Sequence, residues 1–141
     1  MRVYFEGMEV LVNFEYSFLD NSGTIWHGLP SSASSQITTN CSLHIFFQDR
    51  EHIEIHGKAV CREKDTFFKS VGRKLSLLRA LESCDPNVFS DDEVETIWNI
   101  YNKQHNDKKN NIDYIEVIGT DEVSRIPGIK QSTKPEVVTI S

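Results

Sequence analysis

Three histidines and a glutamate in residues 44–56 form the first group of side chains that could do chemistry. His52, Glu54 and His56 alternate, so they share one face of a strand. A three-residue loop, Asp49–Glu51, would place His44 opposite His56 on the same face. Imidazole and carboxylate groups can bind zinc. Flat open faces without an outer shell of hydrogen bonds rarely hold a metal, however, and solvated hairpin faces alternate in the same way. We therefore predict no metal here.

A second group is a basic segment within an acidic protein. The chain carries a net charge of -6, whereas residues 58–79 hold seven cations and two anions. The cations are Lys58, Arg62, Lys64, Lys69, Arg73, Lys74 and Arg79. The overall negative charge argues against general nucleic-acid binding, which depends on neutralising phosphates. The local positive charge favours a site for a compact anion.

Familiar catalytic motifs do not occur in the sequence. It contains no GxSxG, HExxH, P-loop or dinucleotide fingerprint. One enzymatic hypothesis stays open, in which the histidine face degrades the bound ligand. We expect a binding protein rather than an enzyme, without a cofactor.

Length and composition favour one domain. A chain of 141 residues with 38% hydrophobic content can bury a core without disulfides. Cys41, Cys61 and Cys84 form no CxxC pair and leave an odd thiol, which favours reduced cysteines in the cytoplasm. We find no signal peptide and no apolar run of about 20 residues, so we expect no membrane association.

The first half of the chain is predicted to form strands. Apolar side chains alternate over residues 10–18, and a turn follows at Asp20–Gly23. The polar run 31–40 is predicted to be a mobile loop. In the next hairpin, the three-residue loop would pair Phe47 with Ile53 and Ile45 with Ile55.

Two helices are predicted next. The first begins at Asp65 or Thr66 and buries a stripe at three- and four-residue steps. The stripe consists of Phe67, Val71, Leu75, Leu78 and Leu81. Asp85 and Pro86 break it. The second helix begins with a capping box at Ser90, and its stripe consists of Val94, Ile97, Trp98 and Tyr101.

The predicted fold is therefore α+β: an antiparallel sheet, a two-helix hairpin and a strand-bearing C-terminal tail. The β-rich part covers residues 1–62 and the helical hairpin 65–103. Residues 102–111 are predicted to be a linker. The tail, 112–141, would contain strands at 112–118 and 137–140.

One face of the first helix is predicted to accept a neighbouring molecule. Lys69 and Arg73 point away from the apolar stripe together with the small residues Ser76 and Ala80. Lys74 and Arg79 would flank the stripe with their charged groups in water. Because this face is too narrow to enclose a ligand alone, we predict a homo-oligomer, at least a dimer.

Residues 57–101 carry a resemblance to a known family. The segment GKAVCREKDTFFKSVGRKLSLLRAL, followed after a break by a capped helix ending in IWNIY, resembles a group of small bacteriophage proteins. Among these, it is most similar to the anti-Thoeris sponges. The resemblance implies immune evasion: the protein would sequester a cyclic ADP-ribose isomer, without cleaving it, in the bacterial host cytoplasm.

The resemblance also implies which residues bind the ligand. An aromatic residue and an asparagine ten residues apart hold the adenine in that family, and Phe89 and Asn99 have this spacing. The phosphate-binding arginines would correspond to Arg62, Arg73 or Arg79 and, in the tail, to Arg125. Lys74, from the basic segment, is a further candidate for ligand binding. The family binds its ligand at a subunit interface.

An alternative hypothesis is an acidic inhibitor that mimics nucleic acid and blocks a host nuclease or restriction enzyme. The carboxylates would be Glu82, Asp85, Asp91, Asp92, Glu93 and Glu95. Residues 91–93 also have a local role, since negative charge stabilises a helix N-terminus.

Overall fold

The computed structural model describes residues 1–31, 36–62, 67, 69–105 and 125. These contain five strands and two α-helices, so the predicted α+β class is confirmed. The strands are β1 (Arg2–Phe5), β2 (Met8–Leu19), β3 (Ile25–His27), β4 (Gln36–Phe47) and β5 (Ile53–Cys61). The helices are α1 (Lys69–Glu82) and α2 (Asp91–Gln104).

The strands form one antiparallel sheet in the order β1-β2-β4-β5. Strands β1 and β3 pair with opposite ends of the same long strand, β2. Both helices lie on the face that carries Val10, Val12 and Leu43, which are fully buried. We call this the inner face and the opposite one the outer face. None of the described helices is long and apolar enough to cross a bilayer.

The β4–β5 hairpin has a different register from the predicted one. Ile45 pairs with Ile53, and Leu43 pairs with Ile55. The strands are shifted by two residues, so the apolar residues still share one face, because side chains alternate with a period of two. The shift brings His44 opposite Glu54, whereas the predicted register placed it opposite His56.

The prediction of a loop at residues 31–40 is wrong for residues 36–40, which belong to a strand. Strand β4 begins at Gln36, and Ile37 and Thr39 face the core with the buried Cys41. Residues 32–35 lie outside the described residues. The loop prediction relied on the polarity of residues such as Thr39. Threonine is β-branched, however, and is favoured in strands.

Helix α1 is buried on two sides. The predicted stripe is confirmed for Val71, Leu75, Leu78 and Leu81. Phe67 precedes the helix, and Asp65 and Thr66 lie outside the described residues. Ser76 and Ala80 are also fully buried, because they cross β5 at Gly57. The prediction that Ser76 and Ala80 lie on a face of α1 that is open to a neighbouring molecule is therefore wrong.

Helix α2 begins as predicted. The hydroxyl of Ser90 accepts a hydrogen bond from the Glu93 backbone N–H at 3.1 Å, and the Glu93 carboxylate accepts one from the Ser90 N–H at 2.8 Å. Ile97, Trp98 and Tyr101 are buried, and Val94 packs against the core. The helix continues to Gln104, so the predicted linker is helical in its first three residues. The predicted strands of the tail fall outside the described residues.

The cysteines are thiols rather than disulfides, as predicted. Burial raises the pKa of Cys41 to about 12 and that of Cys84 to about 11. Because the thiolate is the reactive form, we expect a thiol reagent at pH 8 to label half-exposed Cys61 first. Cys61→Ser should remove the fast phase, and in denaturant all thiols should react quickly. Fast labelling of Cys84 in the folded protein would contradict this expectation.

Candidate functional site

Arg73 lies where α1, α2 and β2 meet on the inner face. Its Nε donates a hydrogen bond to the hydroxyl of Tyr101 at 3.3 Å, and the guanidinium also hydrogen-bonds Tyr16. Tyr101 comes from α2 and Tyr16 from β2. A residue of α1 therefore joins the other helix to the sheet. We define the Arg73 cluster as Tyr16, Phe67, Lys69, Arg73 and Tyr101.

The Arg73 guanidinium is a positive charge in a partly buried position. Burial by itself lowers the pKa of Arg73, but the hydrogen bonds and charge interactions of Tyr16 and Tyr101 outweigh it and raise the pKa. The guanidinium is charged, as arginine is in proteins generally, and the charged form is the one that binds phosphate and carboxylate groups.

A further aromatic ring and a second cation contact Tyr16, one of the two tyrosines that hydrogen-bond Arg73. Phe67 meets Tyr16 edge to face, with ring centroids 6.1 Å apart. The exposed Lys69 places its Nζ 5.8 Å from the centre of the Tyr16 ring, a cation–π contact. Tyr16 and Phe67 are each half-buried.

The buried side of the cluster is rigidly packed. Tyr101 is fully buried and stacks on His105 at 4.5 Å, while Phe14 meets its edge at 5.9 Å. Trp98 packs at 5.8 Å on the same ring. Because these rings fix the Tyr101 hydroxyl, they also fix the position of the Arg73 guanidinium that donates to it.

The other predicted cations do not converge on Arg73. Arg79 donates to the backbone carbonyl of Lys58 at 2.8 Å, which ties α1 to β5. Arg125 forms a bidentate pair with Glu82, at 2.6 and 2.8 Å. Glu82 is nine residues from Arg73, about 14 Å along the helix axis.

The remaining two predicted cations differ from each other in exposure. Lys74 is 8% exposed, which corrects the expectation that its charged group lies in water. Arg62 is exposed at the end of β5. Neither belongs to the Arg73 cluster as the structure defines it.

Phe89 and Asn99 lie in different surroundings. Phe89 is 8% exposed and belongs to the hydrophobic core, just before the Ser90 cap. To stack on a base, its ring would have to leave the core. Asn99 is exposed on α2. The adenine-binding roles that the resemblance implies for this pair stay a prediction.

Sequence reasoning missed the aromatic part of the cluster. Tyr16 and Tyr101 appeared only as apolar members of a strand and a helix. The available signal was that both are amphipathic: a buried tyrosine hydroxyl needs a partner, and Arg73 supplies one. The predicted homo-oligomer remains untested, but the face of small residues no longer supports it.

Two further features could bind a ligand. On the outer face, ligand atoms of His44, His52 and Glu54 all lie within 4.8 Å of one another. Elsewhere, an open depression of about 350 Å³ lies between the β1–β2 turn and the start of α2. Its lining includes Glu6, Asp49 and Glu93 but none of the predicted ligand-binding residues, and its carboxylates disfavour an anion.

The fold and the Arg73 cluster define an α+β protein with a candidate anion-binding site built from both helices and the sheet. Comparison of the chain with protein-family models, with curated proteins and with solved structures finds no match.

Proposed function

We propose that this protein binds a cyclic ADP-ribose-type nucleotide at the Arg73 cluster and sequesters it intact. In this way it would block a Thoeris-type defence in the cytoplasm of a bacterial host. The observation that carries the proposal is the charged, half-buried Arg73 held between two tyrosines, with Lys69 and Phe67 against the ring of Tyr16. The choice among nucleotides comes from the resemblance of residues 57–101 to the sponges.

The cluster offers what each part of such a nucleotide requires. A diphosphate is bound best by a guanidinium fork with a second cation nearby, which Arg73 and Lys69 provide. A base gains about 1–3 kcal/mol from stacking on an aromatic ring, and Tyr16 and Phe67 are the half-buried aromatic residues of the cluster. To quench a micromolar signal, the dissociation constant must be well below micromolar, which corresponds to about 9–10 kcal/mol.

The acidic-inhibitor alternative loses support from the structure. Glu82 is paired with Arg125, and Glu93 is used in the capping box. The Asp85 carboxylate accepts a hydrogen bond from the Asn87 N–H at 2.9 Å, which closes the turn between the helices. These carboxylates serve local structure, so fewer remain to imitate a phosphate backbone.

Calorimetric titration with a panel of cyclic ADP-ribose isomers tests the proposal directly. We expect submicromolar binding of at least one isomer and a higher melting temperature in its presence. Linear ADP-ribose is the control, because it shows whether the protein binds any nucleotide diphosphate or only the cyclic form. After denaturation of the complex, mass spectrometry should recover the intact ligand, since a sponge does not cleave it.

Two outcomes would overturn the proposal. If no isomer produces heat or a melting shift, sequestration fails and the acidic-inhibitor hypothesis becomes the leading one. If the recovered ligand is cleaved, the protein is an enzyme.

A further inference from the structure

Two histidines and a glutamate on the outer face form a compact group, which we call the outer-face cluster: His44, His52 and Glu54. Their ligand atoms all lie within 4.8 Å of one another. The observed register explains this arrangement, because His44 pairs directly with Glu54 and their side chains approach to 3.1 Å. His52, two residues before Glu54, projects on the same side of the hairpin.

We propose that the outer-face cluster binds one divalent transition-metal ion of the zinc type. Two imidazole nitrogens and one carboxylate oxygen form a donor set that zinc accepts, whereas Mg²⁺ and Ca²⁺ prefer oxygen ligands alone. Three protein ligands leave a fourth position for water or an anion. This inference goes beyond the proposed function and does not depend on it, because the Arg73 cluster lies on the inner face.

Binding requires only a small rearrangement. The ligand atoms of a tetrahedral zinc site lie about 3.3 Å apart, given bonds of about 2.0–2.1 Å. The His44–Glu54 pair, at 3.1 Å, is already at this separation. His52 is exposed, so rotation of its side chain can close the remaining distance without repacking the core.

The cluster also has outer partners that hold its ligands in place. Nε2 of His56 lies 2.8 Å from the second carboxylate oxygen of Glu54, and the Ser42 hydroxyl lies 3.2 Å from Nδ1 of the same histidine. The Glu54 carboxylate is thus fixed on both oxygens. The ring of Phe46 stacks on His52 with centroids 5.0 Å apart and planes inclined by 14°.

These outer partners answer the objection that led to the prediction of no metal. That prediction assumed a flat open face without outer hydrogen-bond partners, and the predicted register placed His44 opposite His56. In the observed register His56 instead contacts the second carboxylate oxygen of Glu54. Such a contact orients a metal-binding carboxylate, as outer partners do in known metal sites. The proposal therefore replaces the earlier expectation.

Titration of the full-length, chelator-treated protein with ZnCl₂ at pH 7.5 tests the site. We expect one ion per chain and a higher melting temperature with Zn²⁺, but no shift with Mg²⁺ or Ca²⁺. Loss of a ligand in His52→Ala should weaken binding at least about 100-fold. Loss of an outer partner in His56→Ala should weaken it about 10- to 100-fold.

His27→Ala is the matched control, because His27 is an exposed histidine on the same sheet. It pairs with Ser17, six residues along β2 from the partner of His44, so it lies about 20 Å away. Its loss should leave zinc affinity unchanged. Replacing Zn²⁺ with Co²⁺ distinguishes the ligands, since a histidine–carboxylate site gives no thiolate charge-transfer band.

The proposal is overturned by any of three results. These are the lack of stoichiometric binding, an equal loss of affinity in His27→Ala and His52→Ala, and a thiolate band in the cobalt spectrum. Circular dichroism of each variant shows whether it is folded. If His52→Ala were unfolded, His44→Asn would provide the same test.

Discussion

Gly57→Ala is expected to lower the free energy of unfolding by about 3 kcal/mol, because it forces α1 away from the sheet. A Cβ on Gly57 would overlap the Ser76 carbonyl oxygen and the Ala80 nitrogen and lie 2.9 Å from the Ala80 Cα. These are backbone atoms of a packed helix, so they cannot rotate aside. Thermal denaturation should show the melting temperature falling by roughly 10 °C.

Val60→Ala is the matched control for this prediction. Val60 lies on the same strand but is 48% exposed on the outer face, so its truncation should cost less than about 1 kcal/mol. An unchanged melting temperature in Gly57→Ala would contradict the close contact between α1 and β5.

Gly72 provides a comparison, because a Cβ added there would meet a side chain, whereas a Cβ added at Gly57 would meet helix backbone. A Cβ on Gly72 would overlap Oγ1 of Thr39 and lie 3.1 Å from the Thr39 Cβ. Thr39→Ala removes that oxygen, so it should restore part of the stability lost in Gly72→Ala. The Thr39 hydroxyl is buried without a hydrogen-bond partner, so its removal loses no such bond. Thr39→Ala should give no comparable rescue of Gly57→Ala.

These two glycines also explain why sequence reasoning assigned the wrong face of α1 to solvent. The apolar stripe of Val71, Leu75, Leu78 and Leu81 was predicted correctly, since hydrophobic periodicity records apolar burial. Hydrophobic periodicity does not reveal small residues that are buried because two backbones pack closely. Ser76 and Ala80 are buried in this way against Gly57. That contact depends on a strand 19 residues away in sequence, and nothing local specifies it.

Local signals predicted α2 and the turn after β2 well. The Ser90 capping box depends on atoms three residues apart, so the sequence contains all of its parts. The hairpin register was wrong because the spacing of apolar residues permits shifts of two, and the loop length alone decides among them. That single shift moved His44 from His56 to Glu54, so the sequence indicated the members of the outer-face cluster but not which of them lie together.

The Arg73 cluster was only half predictable for a related reason. The charge excess of residues 58–79 pointed to α1 as an anion site, and Arg73 was among the residues named. Tyr16 and Tyr101 come from elements that are distant in sequence, and only the packing of α2 on β2 brings them together. The cations named with Arg73 were chosen by type, and the structure shows that Arg79 and Arg125 have other partners.

Arg73→Met is expected to weaken binding of a cyclic ADP-ribose isomer about 10- to 100-fold, because it removes the charged hydrogen-bond donor and keeps the apolar stem. Arg73→Lys should bind with an affinity between those of the unaltered protein and Arg73→Met, since it restores a charge without the planar fork. Calorimetric titration at two salt concentrations measures both effects. The difference in affinity between the unaltered protein and Arg73→Met should shrink at high salt, where the charge is screened.

Arg79→Met and Asn99→Ala show whether such a loss is specific to the Arg73 cluster. Arg79 lies six residues further along α1, about 9 Å from Arg73, and its Nη1 donates to the Lys58 carbonyl on the β5 side of the helix. We expect Arg79→Met to change the dissociation constant by no more than about twofold, a small free-energy difference. If Asn99→Ala abolished binding while Arg73→Met did not, the nucleotide would lie on the exposed side of α2. The Arg73 site would then be overturned even though sequestration itself survived, because the unaltered protein would still bind and return the ligand.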